Sequence, residues 1–223
     1  MGVLVVGYIL IAVIAYLLGS IPTGFLVGKA RGVDIRLLGS GNIGATNAFR
    51  YLGTPAGIFV LLADALKGWL AVCLAAPWIG GWAHPAAGPV ATEWFRILAG
   101  FCSVLGHNYT CWLRFKGGKG IATSAGVLLA LVPYALFIIL TIWVLVLALS
   151  RFVSLASICA SSALPFAAAA TGSSFTMIII TSAMTVLAVY KHKPNIKRLL
   201  NGTEHRIGGK KNTAPPGHSA SST

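Results

Sequence analysis

The stretch "GSGNIGATNAFR", residues 39–50, packs three glycines, a serine, a threonine, two asparagines and an arginine into one short segment. Its Gly39-x-Gly41-x-x-Gly44 spacing, with Asp64 farther on, spells a dinucleotide-binding turn, which works only between a strand and a soluble crossover helix. Here the flanks are the polar "KARGVDIRLL" and the long apolar "TPAGIFVLLADALKGWLAVCLAAPWI", so that context is missing. Two other stretches have the same make-up: "GHNYTCWLRFKGGKGIATS" at 106–124 and "HKPNIKRLLNGTEHR" at 192–206. Each combines glycine or small polar donors with a fixed cation. Glycine lets successive backbone N–H groups face one anion, helix starts add their dipole, and Lys or Arg supplies the counter-charge. The middle stretch is not a Walker A loop, since Leu113 and Gly120 stand where GxxxxGK[ST] needs Gly and Ser or Thr. Three such segments brought together would make a site for phosphates. On this reading Gly39, Gly41, Asn42, Thr46, Asn47, Gly117, Gly118 and Gly120 contact substrate around Ser40, Arg50 and Lys119.

The elements that position these segments are membrane helices. Hydrophobic residues make up 57% of the 223 positions and charged residues only 9%, with mean hydropathy +0.83. An ordinary soluble domain has roughly 25% charged residues. Strict alternation, the mark of a membrane barrel, is absent. Seventeen Lys and Arg face four acidic residues; the excess fits cytoplasmic loops beside anionic lipid without requiring a nucleic-acid partner. Cys73, Cys102, Cys111 and Cys159 form no CxxC or His/Cys cluster and read as buried thiols. With only four scattered carboxylates, a two-metal centre is not expected, and neither is a cofactor.

Apolar segments run over 3–27, 55–79, 97–105, 121–149, 152–170 and 175–190. Basic residues gather at 29–50, 114–119 and 191–211, whereas 80–92 has no Lys or Arg. The positive-inside rule places the basic stretches in the cytoplasm and 80–92 outside. The expected fold is an all-α integral membrane protein with seven transmembrane helices, N-terminus outside and C-terminus cytoplasmic. Parity requires the 121–149 segment to turn at Pro133, and its first half would reach only about 18 Å at 1.5 Å per residue. Five spans with re-entrant segments is the alternative. Residues 1–208 read as one membrane domain, and 209–223, small, polar and Pro-containing, as a disordered tail. Asp64 and Lys67, at i and i+3 in the second span, read as an ion pair that is either structural or part of the site. In "RFVSLAS", Ser154 and Ser157 share one side of a helix opening at the cytoplasmic face.

"GSIPTG" at 19–24, "GSGNIGATNAFR", "GHNYTCWLRFKGGKGIATS" and "HKPNIKRLLNGTEHRIG" together resemble the bacterial acyl-phosphate:glycerol-3-phosphate acyltransferases, the membrane family called PlsY. The resemblance extends from the first span to about Gly208. It implies seven membrane helices in the bacterial cell membrane, with a cytoplasmic active site. The implied reaction moves a fatty acyl group from acyl phosphate to the 1-hydroxyl of sn-glycerol 3-phosphate, giving lysophosphatidic acid and inorganic phosphate. Carried over by position, Ser40 and Arg50 are catalytic or substrate-binding, Lys119 lies in the glycerol-phosphate site, and His192 and Asn195 belong to the active third motif. Glu204 is structural on this carry-over, and Ser154 or Ser157 touches a phosphate. The expected partners are the two substrates and membrane lipids, with the chain acting as a monomer.

An acyl phosphate is a mixed anhydride, so phosphate leaves readily without metal or enzyme nucleophile. The task left is to hold two anions together and align hydroxyl with carbonyl carbon. Trp112 stands five residues after His107, and no other histidine has Asp at that spacing, so the His-x-x-x-x-Asp base of soluble-headed acyltransferases is absent. The base is then His192 or a phosphate oxygen of the substrate, with the substrate preferred. The competing class is a membrane transporter for an organic phosphate. Against it, the polar residues crowd one face rather than the midplane, and no inverted repeat is visible.

Overall fold

The computed structural model describes residues 2–85 and 89–208, which form helices and no strand; the tail expected to be disordered lies outside the described residues. The helices are α1 (Gly2–Ser20), α2 (Thr23–Ala30), α3 (Ala45–Tyr51), α4 (Thr54–Leu70), α5 (Ala76–Ala83), α6 (Pro89–Asn108), α7 (Ile121–Leu131), α8 (Pro133–Ser150), α9 (Val153–Ala170), α10 (Phe175–Lys191) and α11 (Lys193–Leu200). By length and composition four stretches can cross a membrane: Gly2–Ala30, Thr54–Ala83, Pro133–Ser150 and Val153–Ala170. A fifth is counted if α10 and α11, bent by 56° at His192, are one span. Helix α7 is apolar but short, and α6 is 20 residues long with Glu93 and Arg96 in its first half.

Apolar runs with few charges make the membrane-crossing stretches, and proline interrupts them. The expected first span, 3–27, is broken at Ile21–Pro22, because proline disfavours helical backbone in the residue before it. The turn expected at Pro133 is present: Val132 leaves helical geometry, α7 packs chiefly on α4, and α8 packs on α9. Between α4 and α5 the chain widens into a π turn over Ala71–Ala75, just before Pro77. Proline has no N–H for the carbonyl four residues back, and the wider turn accommodates that. Helix α6 extends beyond the expected 97–105 segment through His107 and Asn108, so these two residues end a helix rather than open a loop.

Each break inside the bundle frees backbone groups that apolar surroundings cannot satisfy, and side chains from neighbouring helices take them up. Ser20 O accepts from Thr110 Oγ1 at 2.6 Å and Ile21 O from Lys67 Nζ at 2.8 Å. Lys67 is paired at 2.8 Å with Asp64, which also accepts from Thr23 Oγ1 at 3.0 Å on the far side of the break. In α9, Pro165 cannot bond Ser161 O, and Thr185 Oγ1 of α10 donates to it at 2.6 Å. Close helix approach relies on small residues. A Cβ on Gly19 would lie 2.0 Å from Ser103 O, and one on Gly106 would lie 2.1 Å from Tyr16 O, so α1 and α6 meet backbone to backbone. The four cysteines are free and only half-buried, a correction to their reading as buried thiols.

Because Asp64 and Lys67 are both buried and bridge the α1–α2 break, Lys67→Met should cost about 3–5 kcal/mol by leaving a buried carboxylate without its lysine, with only Thr23 and the longer His107 contact at 3.6 Å to face it. Asp64→Asn combined with Lys67→Met should recover the larger part, read as unfolding midpoints in detergent. A single variant as stable as wild type would show that the pair does not hold the break.

Candidate active site

Where α3, the α6–α7 loop, the start of α9 and the α10–α11 corner meet, they enclose a cavity of about 320 Å³. One part of its lining is polar, with Ser40, Thr46, Arg50, Lys119, His192 and Asn195. The rest is largely apolar, with Leu128, Leu136, Ile139, Trp143, Leu164 and Met184. All three polar segments of the sequence therefore reach one space.

The first segment is a loop shaped from within. Asn47 is buried; its Nδ2 donates to Ile35 O and Leu38 O at 3.2 and 3.0 Å, and its Oδ1 accepts from Ser40 N. Asn42 Oδ1 accepts from Gly44 N at 2.8 Å, and Asn42 N donates to Ser40 Oγ at 3.4 Å. Gly39 and Gly41 do not line the cavity; each has φ in the left-handed region, at 55° and 68°, and shapes the turn instead. This loop sets Ser40 on the rim and Arg50 inside it. The Arg50 terminal nitrogen has one long contact, 3.5 Å to His205 O.

The second segment is locked to the end of α6. Gly118 N donates to His107 O at 3.0 Å and Gly117 N to Asn108 O at 3.3 Å. A Cβ on Gly117 would meet His107 O at 2.1 Å. These two glycines are absent from the cavity lining and their N–H groups are engaged, so they serve close packing and not direct anion contact as expected. What they fix is Lys119. Lys191 Nζ donates to Asn108 O at 2.9 Å, tying α10 to the same corner.

The third segment centres on a carboxylate. Lys119 Nζ donates to Asn195 Oδ1, and Asn195 Nδ2 donates to Glu204 Oε1 at 2.8 Å. Glu204 also accepts from Ser154 Oγ at 2.9 Å and pairs with Arg198 Nε at 2.7 Å. Ser157 donates to Val153 O at 2.9 Å and accepts from Trp143 Nε1 at 3.1 Å, so both serines are held by protein partners while lining the cavity. His192 Nδ1 lies 2.8 Å from Ala188 O. A carbonyl can only accept, so Nδ1 carries the proton and Nε2 is the ring's acceptor.

Burial sets the charge states. It pulls the Lys119 ammonium down to about 8, helped by Arg198 and Arg50 and opposed by Glu204. Burial and the neighbouring Lys119 charge lower His192 to about 4, favouring the neutral ring. For Glu204 burial acts upward, yet the bonds from Asn195, Arg198 and Ser154 hold its carboxyl below the usual range.

Asp64 lines the cavity, and Lys67, turned to the α1–α2 break, does not. Sequence reasoning did not single out Arg198, His107, Trp143 or Thr185, all of which line it. For Arg198 a signal existed: His192, Asn195 and Arg198 recur every third residue, the spacing of one helix face. Among the described residues no three His, Cys, Asp or Glu side chains cluster as metal ligands.

The family model described as "Glycerol-3-phosphate acyltransferase" matches residues 9–202. The chain is 46% identical over 202 residues to glycerol-3-phosphate acyltransferase 2 of Moorella thermoacetica, covering 90% of this chain and 98% of that protein. It is also 46% identical over 191 residues to the glycerol-3-phosphate acyltransferase of Geotalea daltonii, covering 86% and 93%. Two crystal structures of PlsY (YgiH), an integral membrane glycerol 3-phosphate acyltransferase, resemble it. The glycerol 3-phosphate form has TM-score 0.80 and 37% identity, covering 90% of this chain and 96% of that one. The lysophosphatidic acid form has TM-score 0.78 and 36% identity, covering 90% and 95%.

Lys119 is a cation below about pH 8 and loses its charge above it. Binding of inorganic phosphate, followed as protection against heat unfolding, should therefore weaken as pH rises through about 8. Lys119→Arg, which stays charged, should shift that loss to higher pH. An unchanged pH profile in Lys119→Arg would remove Lys119 from the anion site.

Proposed function

This chain belongs to the glycerol-3-phosphate acyltransferase family and is an integral membrane acyltransferase, and on that basis we propose that it moves a fatty acyl group from acyl phosphate to the 1-hydroxyl of sn-glycerol 3-phosphate. The products are lysophosphatidic acid and inorganic phosphate. The observation that carries this reading is one cavity whose lining joins cations and hydrogen-bond donors to a set of apolar side chains. That division suits two phosphates and one fatty chain. The related PlsY was crystallised in a glycerol 3-phosphate form and a lysophosphatidic acid form, which supports the same acceptor and product here.

In the proposed step the acceptor oxygen attacks the acyl carbonyl carbon, the bond from that carbon to the bridging phosphate oxygen breaks, and phosphate departs. The hydroxyl proton passes to a phosphate oxygen of the substrate. His192, neutral with Nε2 as acceptor, orients the hydroxyl. Arg50 and Lys119 hold the phosphates and offset their repulsion, and Asn195, bonded to both Lys119 and Glu204, positions the lysine. Ser40, on the rim with its hydroxyl proton available, donates to a substrate oxygen. No cofactor is needed for an anhydride donor.

The proposed setting is the bacterial cell membrane, with residues 1–208 as one seven-span domain, probed by substrate from the cytoplasm, and the chain acting as a monomer. Helix α6, at about 30 Å by 1.5 Å per residue, is long enough to span. The exposed Trp82 lies in the 80–92 stretch assigned outside, the exposed Trp78 and Trp94 flank that stretch, and the three suit an aromatic belt there.

Purified protein in detergent should release phosphate from palmitoyl phosphate only when glycerol 3-phosphate is present, with equal rates in EDTA and no reaction with palmitoyl-CoA. Turnover with acyl-CoA but not with acyl phosphate would overturn the assignment of the donor.

A further inference from the structure

The cavity lining holds three cations, Arg50, Lys119 and Arg198, and two carboxylates, Asp64 and Glu204. Asp64 is paired with Lys67 at 2.8 Å, so that its charge is already offset. Glu204 is held by Ser154, Asn195 and Arg198, which leaves the lining with a surplus of two positive charges, three less one. Each phosphate brings about −1.5 to −2. Arg50 and Lys119 alone face two such groups, and Arg198 is the one other cation of the lining.

Arg198 is also built to reach them. It follows His192 and Asn195 on the face of α11 that lines the cavity, while Lys193 and Lys197 are exposed. Glu204 takes its Nε at 2.7 Å, and its two terminal amino groups have no protein hydrogen bond among the described residues. Glu204 is itself fixed from α9 by Ser154. The carboxylate thus holds one edge of the guanidinium and leaves the fork open. A planar fork of this kind binds phosphate oxygens two at a time, which a lysine cannot do.

We propose that Arg198 is a phosphate-binding residue of this site, its terminal amino groups taking the oxygens of one of the two substrate phosphates while Glu204 keeps its Nε edge in place. The inference rests on the acyl-transfer reading above. It adds a third cation to the pair that the sequence motifs supply.

The test measures KM for acyl phosphate and for glycerol 3-phosphate separately in wild type, Arg198→Gln, Arg198→Lys and, as an exposed control, Lys197→Gln. Loss of a charged hydrogen-bonded contact should raise KM for one substrate by about tenfold or more in Arg198→Gln. Arg198→Lys, which keeps a cation for Glu204 and loses the fork, should show a smaller rise for the same substrate, and Lys197→Gln none. A rise confined to the donor assigns the donor's phosphate, and one confined to glycerol 3-phosphate assigns the acceptor's. Unchanged KM for both overturns the proposal. So does an equal loss for both that tracks a lowered unfolding midpoint, the mark of a purely structural arginine. If Arg198→Gln does not fold, the same criteria apply to Arg198→Lys. If wild type does not use acyl phosphate, the donor assignment fails separately. Arg198 is then judged by inorganic phosphate, whose protection against heat should be present in wild type and reduced in both variants; equal protection overturns it.

Discussion

In the cavity lining the three cations Arg50, Lys119 and Arg198 stand close enough to repel one another, and the Glu204 carboxylate counters them. It accepts from Ser154 of α9 and from Asn195 and Arg198 of α11, and through Asn195 it reaches Lys119 in the α6–α7 loop. The segment carrying it is fastened on both sides: His205 O faces Arg50, Ile207 N donates to Arg151 O at 2.9 Å, and Arg206 lies over the Phe152 ring. A single anion fixes the cations without neutralising them. The remaining positive field is what the two phosphates of the proposed reaction would require to share one cavity.

That arrangement depends on a bundle willing to break its helices. Interruptions at Ile21–Pro22, Val132–Pro133 and His192 turn the chain where polar segments must meet, and in an apolar bundle every freed carbonyl needs a donor. Thr110 and Lys67 supply donors at the Ile21–Pro22 break, and Thr185 does the same at Pro165 inside α9. The Asp64–Lys67 pair, charged and deep in α4, makes physical sense in this light: Lys67 serves the Ile21 carbonyl, and Asp64 ties that lysine to Thr23 beyond the break.

Much of this was legible in the residues. Charge clustering brought the three polar segments to one side, and Pro133 marked a real turn because proline acts locally. Pro22 is just as local, but the apolar run around it hid the break. The glycines at 117 and 118 invited a phosphate cradle, since glycine permits both an anion nest and close packing, and only the position of α6 decides between them. The reach of Glu204 was harder, because a carboxylate's partners at separations of 6, 9 and 50 residues follow from tertiary folding and not from any spacing rule, whereas Arg198 at least shares the three-residue spacing of His192 and Asn195. His107 ends a helix that composition alone stops short of.

On the proposed function, the cations gathered around Glu204 receive substrate phosphate. A structure of this protein with glycerol 3-phosphate bound is the sharpest test of that role: phosphate oxygens should lie within hydrogen-bond distance, roughly 2.7–3.2 Å, of Lys119 Nζ or of a guanidinium in the cavity lining, with the Glu204 bonds to Ser154 and Asn195 intact. A phosphate bound outside this cavity, or one admitted only after Glu204 has left its partners, would contradict it.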